Sequence, residues 1–454
     1  MTKCITVILA LASISAVGLA AAPATQPAFY AWAATPPMGW NSWDCFGTGV
    51  TEEQTLANAD YMQKNLLSHG WNIITIDIQW YEPKANTLNY RQNAVLEMDN
   101  YGRLLPAGNR FPSTAAAHSF KPIADALHQR GLKFGLHLLR GIPRQAVERN
   151  MPILNTPYHA ADIADKNDTC QWNPDMYGVD MSKPGAQEYY NSVFQLFATW
   201  DLDFVKVDDL SRPYHKAEIE GIRKAIDLCG RPIVFSTSPG ATPVSEGPHV
   251  STHANMWRIS DDFWDSWKSL KEQFARLDAW TPYRGEGHWP DADMLPLGNV
   301  RAFTKNGWTH FTHDEQRTML TLWSIARSPL IVGANLPAND DFTLSLLSND
   351  EILAVDQHSI NNRQLSRKDD LIVWTADVPN SPDRYVALFN AQENKKGATP
   401  QVATVTVNLS DMNLSSPVAV RDLWTHQNLP NTDTAITATL LPHTAALYRL
   451  SPTK

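Results

Sequence analysis

Aspartates follow four short apolar runs of this sequence, at positions where the strands of a parallel sheet would end. A single aspartate at such a position is more often a helix cap or a turn residue than a catalyst. If the strands form a barrel, however, the four groups meet on one rim and indicate a functional site. Cleavage of a glycosidic bond with retention needs two facing carboxyl groups about 5–5.5 Å apart, supplied here by two different strands. The aspartates are Asp77, Asp208, Asp209, Asp261, Asp262, Asp291 and Asp293.

Lys206 and Asp208 are predicted to form a pair on one of these strands. Side chains alternate along a strand, so two residues separated by one position share a face. An ammonium group beside Asp208 favours the ionised carboxylate that a nucleophile requires, and it can donate a hydrogen bond to a sugar hydroxyl. A structural ion pair at the mouth of a barrel explains the same pattern.

Between about residues 40 and 336, short β-rich runs alternate with longer helical runs. This alternation predicts the strands and helices that position the aspartates. Eight such units predict a (β/α)₈ TIM barrel over residues 25–345, although an open doubly wound sheet has a similar local pattern. After about residue 349, short alternating runs predict a C-terminal antiparallel β-sandwich domain, residues 346–454. The predicted barrel strands are residues 37–40, 73–78, 133–139, 204–208, 233–236, 256–259, a short piece ending at Asp291, and 330–333.

The N-terminus is typical of a cleavable signal peptide. Lys3 precedes an apolar run over residues 5–19, and small residues follow through Ala24. Residues 1–24 are therefore predicted to be removed, and the protein is expected to be secreted or periplasmic. No later run has the length of a membrane anchor.

Composition and motif content exclude several classes of function. A net charge of −9 disfavours binding to nucleic acid. No nucleotide-binding or zinc-hydrolase motif occurs, so neither a cofactor nor a catalytic metal is expected. After loss of Cys4 with the signal peptide, Cys45, Cys170 and Cys229 allow at most one disulfide.

Five segments, in order along nearly the whole mature chain, resemble glycoside hydrolase family 27, the α-galactosidase or melibiase family of clan D. The first segment is similar to the family's opening strand, the second to the strand that bears its nucleophile, and the third to its acid/base segment. The segments are TPPMGWNSW (residues 35–43), KVD (206–208), WRISDDFWDSW (257–267), WPDADML (289–295) and ARSPL (326–330).

This resemblance implies a retaining mechanism with two aspartates and an oligosaccharide or polysaccharide substrate. It assigns Asp208 as the nucleophile and Asp262, not Asp261, as the acid/base. Asp293 is expected to orient the site rather than to react. The implied substrate-binding residues are Asp77 and Lys206 at the sugar O4, Trp40 as a wall, Arg258 at O2 and O3, and Met294 on the floor.

Two positions depart from the family's galactosidases. These enzymes have adjacent acids in a D-D-x-W run, the second of which contacts the sugar O6, whereas this chain has Asp77-Ile78-Gln79-Trp80. Loss of such a hydrogen bond costs about 1.5–3 kcal/mol. Either His137 or Arg140 is a possible replacement partner through water. Ser238 stands where galactosidases have a glutamate, which leaves recognition at C2 open, and an N-acetyl preference is not expected.

The leading hypothesis is therefore an exo-acting retaining α-galactosidase. The alternatives within the family are a β-L-arabinopyranosidase, whose substrate lacks C6, and an isomaltose-releasing dextranase. An inactive sugar-binding barrel would be expected to lack one of the two carboxylates, but Asp208 and Asp262 are both present. The family disulfide that links the loop after the first strand to the second strand is not expected, because Gln79 stands where the partner of Cys45 would be. A long insert after Arg140 is expected to cap the cleft and shape the leaving-group site.

Overall fold

The eight predicted strands form a closed parallel barrel. The computed structural model describes residues 26–86, 89–393, 399–415 and 417–453, so the predicted signal peptide lies outside the described residues. The strand order is β7-β6-β5-β4-β3-β2-β1-β8, and every pairing is parallel. The strands are β1 (Met38–Asn41), β2 (Ile73–Ile76), β3 (Lys133–Leu139), β4 (Phe204–Asp208), β5 (Val234–Thr237), β6 (Met256–Arg258), β7 (Trp289–Asp291) and β8 (Leu330–Val332).

The ring closes just beyond β7, which distinguishes a barrel from an open sheet. Leu295 forms a parallel bridge with Val332 of β8. The Leu295 amide donates to the Ile331 carbonyl at 2.7 Å, and the Gly333 amide donates to the Leu295 carbonyl at 3.1 Å. The predicted (β/α)₈ barrel is thus confirmed, and its strand ends converge on one rim.

Helices surround the barrel, and several begin with the side-chain caps that the sequence provides. Thr51 and Thr312 each form a capping box, with Gln54 and Glu315 respectively, which satisfies the first free amides of the helix. Among the described residues, no helix has both the length and the apolar character that crossing a membrane requires. The α-helices are Trp43–Phe46, Glu52–Asn65, Lys121–Gln129, Arg144–Glu148, Ala160–Ile163, Ala186–Thr199, Lys216–Leu228, Gly247–Val250, Trp267–Trp280, His313–Ala326, Asp341–Leu347 and Asp350–His358.

The insert between β3 and β4 folds into a small lobe at the mouth of the barrel. Its three antiparallel strands are Ile142–Pro143, Ala164–Asp165 and Met176–Val179. Arg140 anchors the lobe to the barrel, because its guanidinium lies 2.6 Å from Asp168 of the lobe and 3.0 Å from Asp209 after β4. The lobe consequently extends over the cleft, as predicted for this insert.

The C-terminal region is the predicted antiparallel β-sandwich. One sheet has the order β9-β10-β11-β16-β13-β14, and β12 pairs with β15 in the other. The sequence did not predict β9 and β14, because both are polar edge strands without an apolar alternation. The strands are β9 (Ile360–Lys368), β10 (Leu371–Asp377), β11 (Arg384–Asn390), β12 (Ala403–Asn408), β13 (Val418–Asp422), β14 (Gln427–Thr432), β15 (Ala435–Leu440) and β16 (Thr444–Pro452).

Aromatic contacts join the sandwich to the barrel helices. The Phe274 and Phe389 rings lie 5.0 Å apart, and the Trp267 ring stacks on His443 at 3.7 Å. The described cysteines, Cys45, Cys170 and Cys229, form no disulfide with one another.

Candidate active site

A cavity of about 940 Å³ opens at the carboxyl ends of the barrel strands. Its walls come from several strand ends, from the segment after β2 and from the inserted lobe. The predicted site residues that line it are Asp77, Ile78, Lys206, Asp208, Arg258, Asp262 and Met294. The tertiary structure therefore brings together seven residues that the sequence suggested from four different strand ends.

Asp208 is held as an ionised carboxylate at the end of β4. His137 Nε2 donates to its Oδ2 at 2.8 Å, and the Ser238 hydroxyl donates to its Oδ1. Lys206 Nζ lies 3.7 Å from the same Oδ2. Burial works against the charge, but Lys206 and His137 outweigh it and hold the pKa of Asp208 well below its usual range. The group is thereby suited to nucleophilic attack.

Asp77 and Lys206 form a buried ion pair next to Asp208. Lys206 Nζ donates to Asp77 Oδ2 at 3.0 Å, and Asn41 Nδ2 donates to the same oxygen at 2.7 Å. Burial disfavours the lysine charge, yet the two carboxylates more than compensate, so the pKa of Lys206 lies above its ordinary value. A sugar hydroxyl at this point would meet both a charged donor and a charged acceptor.

Asp262 lies across the cavity in a different environment. Its side chain is 60% exposed, against 7% for Asp208, and Arg258 Nη2 donates to its Oδ1 at 3.0 Å. A carboxyl group in contact with water can exchange protons, as a general acid/base must. The adjacent Asp261 accepts from Arg212 at 2.6 Å. Asp261 also lines the cavity and is 57% exposed, so exposure does not separate the two residues. Asp262 differs in its partner, because Arg258 is a buried residue of the predicted substrate site.

Asp293 connects the acid/base segment to the barrel. It accepts from the Phe263 amide at 2.7 Å and lies 2.7 Å from Arg258 Nη2. Burial raises the pKa of Asp293 to about 7, against the opposing effect of Arg258. Because Asp293 holds both Arg258 and the residue that follows Asp262, it is placed to orient the catalytic segment, as the sequence suggested.

The structure corrects two of the predicted substrate contacts. Trp40 is fully buried and donates from Nε1 to the Ala334 carbonyl at 2.7 Å, so it does not line the cavity. Trp43, which lies just beyond β1, lines the cavity instead. Ser238 is also buried, and it contacts Asp208 rather than the cavity. The sequence placed both residues at strand ends, but it does not specify whether a side chain at a strand end points into the cavity or packs inside the protein.

Sequence reasoning missed an aromatic wall of the cavity. Trp43 stacks with Tyr90 at 6.2 Å between ring centroids, and Tyr90 lies 5.5 Å from Trp172 of the inserted lobe. All three residues line the cavity. Tyr90 belongs to an irregular segment, so no periodicity marked it, whereas Trp43 was visible in the WNSW motif. Such rings provide stacking surfaces for a second sugar.

Asp44 is a further acidic residue of the cavity that the sequence reasoning did not single out. It is buried, and burial together with the nearby Asp293 raises the pKa of Asp44 well above its usual value. A Cβ on Gly333 would collide with its carboxyl group, so a glycine is needed at that position. Asp44 therefore adds a carboxyl group that favours its protonated form, in contrast to Asp208.

Both residues suggested as substitute partners for O6 already contact carboxylates of the protein. His137 Nε2 already contacts Asp208. The Arg140 guanidinium is shared among Asp168, Asp209 and Glu218 at 2.6, 3.0 and 3.0 Å. Ile78 thus presents an apolar wall where the family's galactosidases have an acid.

Comparison with known proteins agrees with this architecture. The family model described as alpha galactosidase A matches residues 176–358, and that of the alpha galactosidase C-terminal beta sandwich domain matches residues 368–450. An α-galactosidase from Coffea arabica is 30% identical over 92% of this chain and 94% of its own length.

Two solved structures are more similar in sequence. The GH27 β-L-arabinopyranosidase of Geobacillus stearothermophilus is 50% identical, with a TM-score of 0.89 over 94% of this chain and 98% of its own, and a variant of that enzyme has been solved in complex with arabinose. A putative α-N-acetylgalactosaminidase from Bacillus halodurans is 46% identical, with a TM-score of 0.82 over 92% of this chain and 97% of its own.

Proposed function

We propose that this chain, which belongs to glycoside hydrolase family 27 and is a retaining glycosidase, releases terminal β-L-arabinopyranose. The observation that carries the proposal is the side chain of Ile78 in the cavity wall, beside Asp77. The 50% identity to an enzyme named as a β-L-arabinopyranosidase supports it. The leading hypothesis from the sequence, an α-galactosidase, becomes the second candidate, supported by relatives of that name at about 30% identity.

The preference follows from the difference between the two sugars. A β-L-arabinopyranoside is an α-D-galactopyranoside without the C6 hydroxymethyl group. A galactoside would bury its O6 hydroxyl against an aliphatic side chain, and the loss of a hydrogen bond to a charged group costs about 1.5–3 kcal/mol. The pentose has no such hydroxyl to satisfy. The contacts of His137 with Asp208 and of Arg140 with Asp168 support this preference, because they already use hydrogen-bonding groups of the two suggested substitutes.

In the proposed reaction, Asp208 attacks the anomeric carbon while Asp262 protonates the departing glycosidic oxygen. A covalent glycosyl ester on Asp208 results. Asp262, now ionised, then takes a proton from water, which attacks the same carbon and releases the sugar with retained configuration. The environments of the two carboxyl groups fit these roles, since Asp208 is buried among donors and Asp262 is open to water.

The remaining cavity residues are proposed to position the substrate. Asp77 and Lys206 would bind the O4 hydroxyl, Arg258 the O2 and O3 side, and Met294 would form the floor. Tyr90 and Trp172 would stack against the leaving group, because their rings contact each other in the cavity wall.

A paired rate comparison tests the proposal. We expect kcat/KM on an aryl β-L-arabinopyranoside to exceed that on the matching aryl α-D-galactopyranoside by at least about tenfold, a difference of about 1.4 kcal/mol in transition-state free energy. A tenfold preference for the galactoside would overturn the proposal in favour of the second candidate. If the enzyme cleaves neither substrate but releases isomaltose from dextran, the result would favour the isomaltose-releasing dextranase.

Replacing Ile78 by aspartate is expected to shift this preference. Ile78→Asp restores an acceptor for O6, so the ratio of galactoside to arabinopyranoside kcat/KM should rise about 10- to 100-fold, corresponding to about 1.5–3 kcal/mol. The matched control is Ile78→Val, which keeps the wall apolar and should leave the ratio within about threefold. An unchanged ratio in Ile78→Asp would show that Ile78 does not determine specificity.

We also propose that the chain is exported and that residues 1–24 are removed. Lys3 and the apolar run over residues 5–19 support this proposal. N-terminal sequencing of protein recovered from the periplasm or the medium is expected to begin at or near residue 25. Recovery of exported protein that still begins at Met1 would contradict it.

A further inference from the structure

Three potential metal-binding side chains converge on the outer layer of the barrel, away from the catalytic cavity. Glu220 lies in the helix Lys216–Leu228, His249 in the short helix Gly247–Val250, and His253 three residues after that helix ends. One ligand atom from each residue lies within 4.8 Å of the other two. The three residues do not line the cavity.

Hydrogen bonds orient both imidazole rings. His253 Nδ1 lies 2.8 Å from the carbonyl oxygen of His249, which can only accept, so Nδ1 carries the proton and Nε2 keeps a lone pair. His249 Nδ1 lies 2.6 Å from the Tyr214 hydroxyl, which leaves its Nε2 facing Glu220. Metal-binding histidines in proteins are commonly held this way, with the second ring nitrogen bonded to an oxygen.

The spacing of the ligand atoms fits a small divalent ion. His249 Nε2 and Glu220 Oε1 are 3.1 Å apart. Two ligands of a tetrahedral Zn²⁺ ion lie about 3.3 Å apart, given bonds of about 2.0–2.2 Å. The His249 and His253 rings stack, at 22° between their planes and 4.1 Å between centroids, which keeps the two imidazoles next to each other. The Glu220 side chain is 49% exposed, which leaves the cluster open to ions from solution.

Three other clusters of histidine and carboxylate residues already contain the positively charged side chain of a lysine or an arginine. Lys206 contacts Asp77 and Asp208 beside His137, Lys121 contacts Asp125 and Asp201 beside His128, and Arg140 contacts Asp168 and Glu218 beside His215. In the part of the chain that the structure describes, Glu220 has no lysine or arginine within ion-pair distance. Its ion-pair partner is His249 instead, whereas each of the other three clusters has its lysine or arginine pairs. Of the four clusters, only the one at Glu220 would therefore accept a divalent cation without displacing a lysine or arginine.

We propose that Glu220, His249 and His253 bind one Zn²⁺ ion, with water completing its coordination. Two imidazoles and a carboxylate are ligands of the kind that zinc accepts. The ion would link two consecutive βα units of the barrel, because Glu220 lies in the helix after β4 and His249 in the segment after β5. The site would be structural, since its three ligands lie outside the cavity.

Calorimetric titration of the full chain with ZnCl₂, after treatment with EDTA and its removal, tests the site. We expect about one Zn²⁺ per chain, and at least tenfold weaker binding in His253→Ala and in Glu220→Gln. The matched control is His128→Ala, which removes a histidine from a cluster already neutralised by Lys121 and should bind zinc as the unmodified chain does. Binding that is unchanged in both cluster variants, or no binding by the unmodified chain, would overturn the proposal.

Thermal unfolding provides a second measurement that does not depend on glycosidase activity. Zn²⁺ at about 100 times its Kd is expected to raise the Tm of the unmodified chain and of His128→Ala by about 3–5 °C. The Tm of His253→Ala should not respond. Near-UV circular dichroism of each variant without metal verifies that it is folded. An equal rise in Tm for His253→Ala would place the ion elsewhere.

Discussion

Asp208→Ala is expected to abolish turnover. Removal of the attacking carboxylate leaves no group to form the glycosyl ester, and loss of a catalytic nucleophile lowers kcat by on the order of 10⁴- to 10⁶-fold. The effect should appear in both kcat and kcat/KM, measured on whichever aryl glycoside the unmodified enzyme prefers. In the unmodified chain His137, Ser238 and Lys206 surround this carboxylate.

Azide distinguishes loss of the nucleophile from loss of the fold. The space left by the carboxylate in Asp208→Ala still faces Lys206 and His137, which favour an anion. We expect added azide to restore measurable cleavage of an activated aryl glycoside and to yield a glycosyl azide of inverted configuration, because attack then occurs once rather than twice. Near-wild-type activity without azide, or a product of retained configuration, would refute the role of Asp208.

Asp262→Ala is expected to slow the enzyme in a way that depends on the leaving group. General acid catalysis contributes about 10²- to 10⁴-fold, and it matters most when the departing oxygen is basic. We therefore expect losses in that range for alkyl or sugar leaving groups, and a much smaller loss of kcat/KM for a dinitrophenyl leaving group, which departs without protonation. A series of aryl glycosides with leaving groups of different acidity measures this dependence.

The neighbouring Asp261 is the matched control for Asp262. Its carboxylate pairs with Arg212, and both side chains are more than half exposed, so its removal breaks only a surface ion pair. Asp261→Ala should retain activity within about threefold on every leaving group, since such pairs contribute about 0–1 kcal/mol. A leaving-group dependence in Asp261→Ala, and none in Asp262→Ala, would exchange the assignments of the two residues.

The opposite environments of these two aspartates explain how one cavity holds both roles. Ionised Asp208 is stabilised by Lys206 and by two hydrogen-bond donors, and its low pKa keeps it charged in mildly acid solution. Asp262 instead contacts water on one side and Arg258 on the other. In the proposed reaction, Asp208 is therefore the ionised nucleophile and Asp262 is the proton carrier, which exchanges protons with solvent.

Much of this site was predictable from the sequence because it lies at strand ends. Alternation along β4 put Lys206 and Asp208 on one face, and their side chains do lie 3.7 Å apart. Parallel strands have their carboxyl ends at a common edge, so Asp77, Asp208 and Asp262 were expected to meet, as they do. Ile78 was visible as a departure because it replaces a charged residue within a recognisable motif.

The sequence by itself therefore determined the barrel, the sandwich and the acidic rim, since local periodicity sets both the element type and the direction of side chains along a strand. Tertiary structure alone decided that Trp43 rather than Trp40 faces the cavity and that Ser238 contacts Asp208. It also brought Trp172 against Tyr90, through a lobe anchored by the ion pair between Arg140 and Asp168. These contacts join residues far apart in the chain or in irregular segments, where no repeating pattern specifies which side chains will meet.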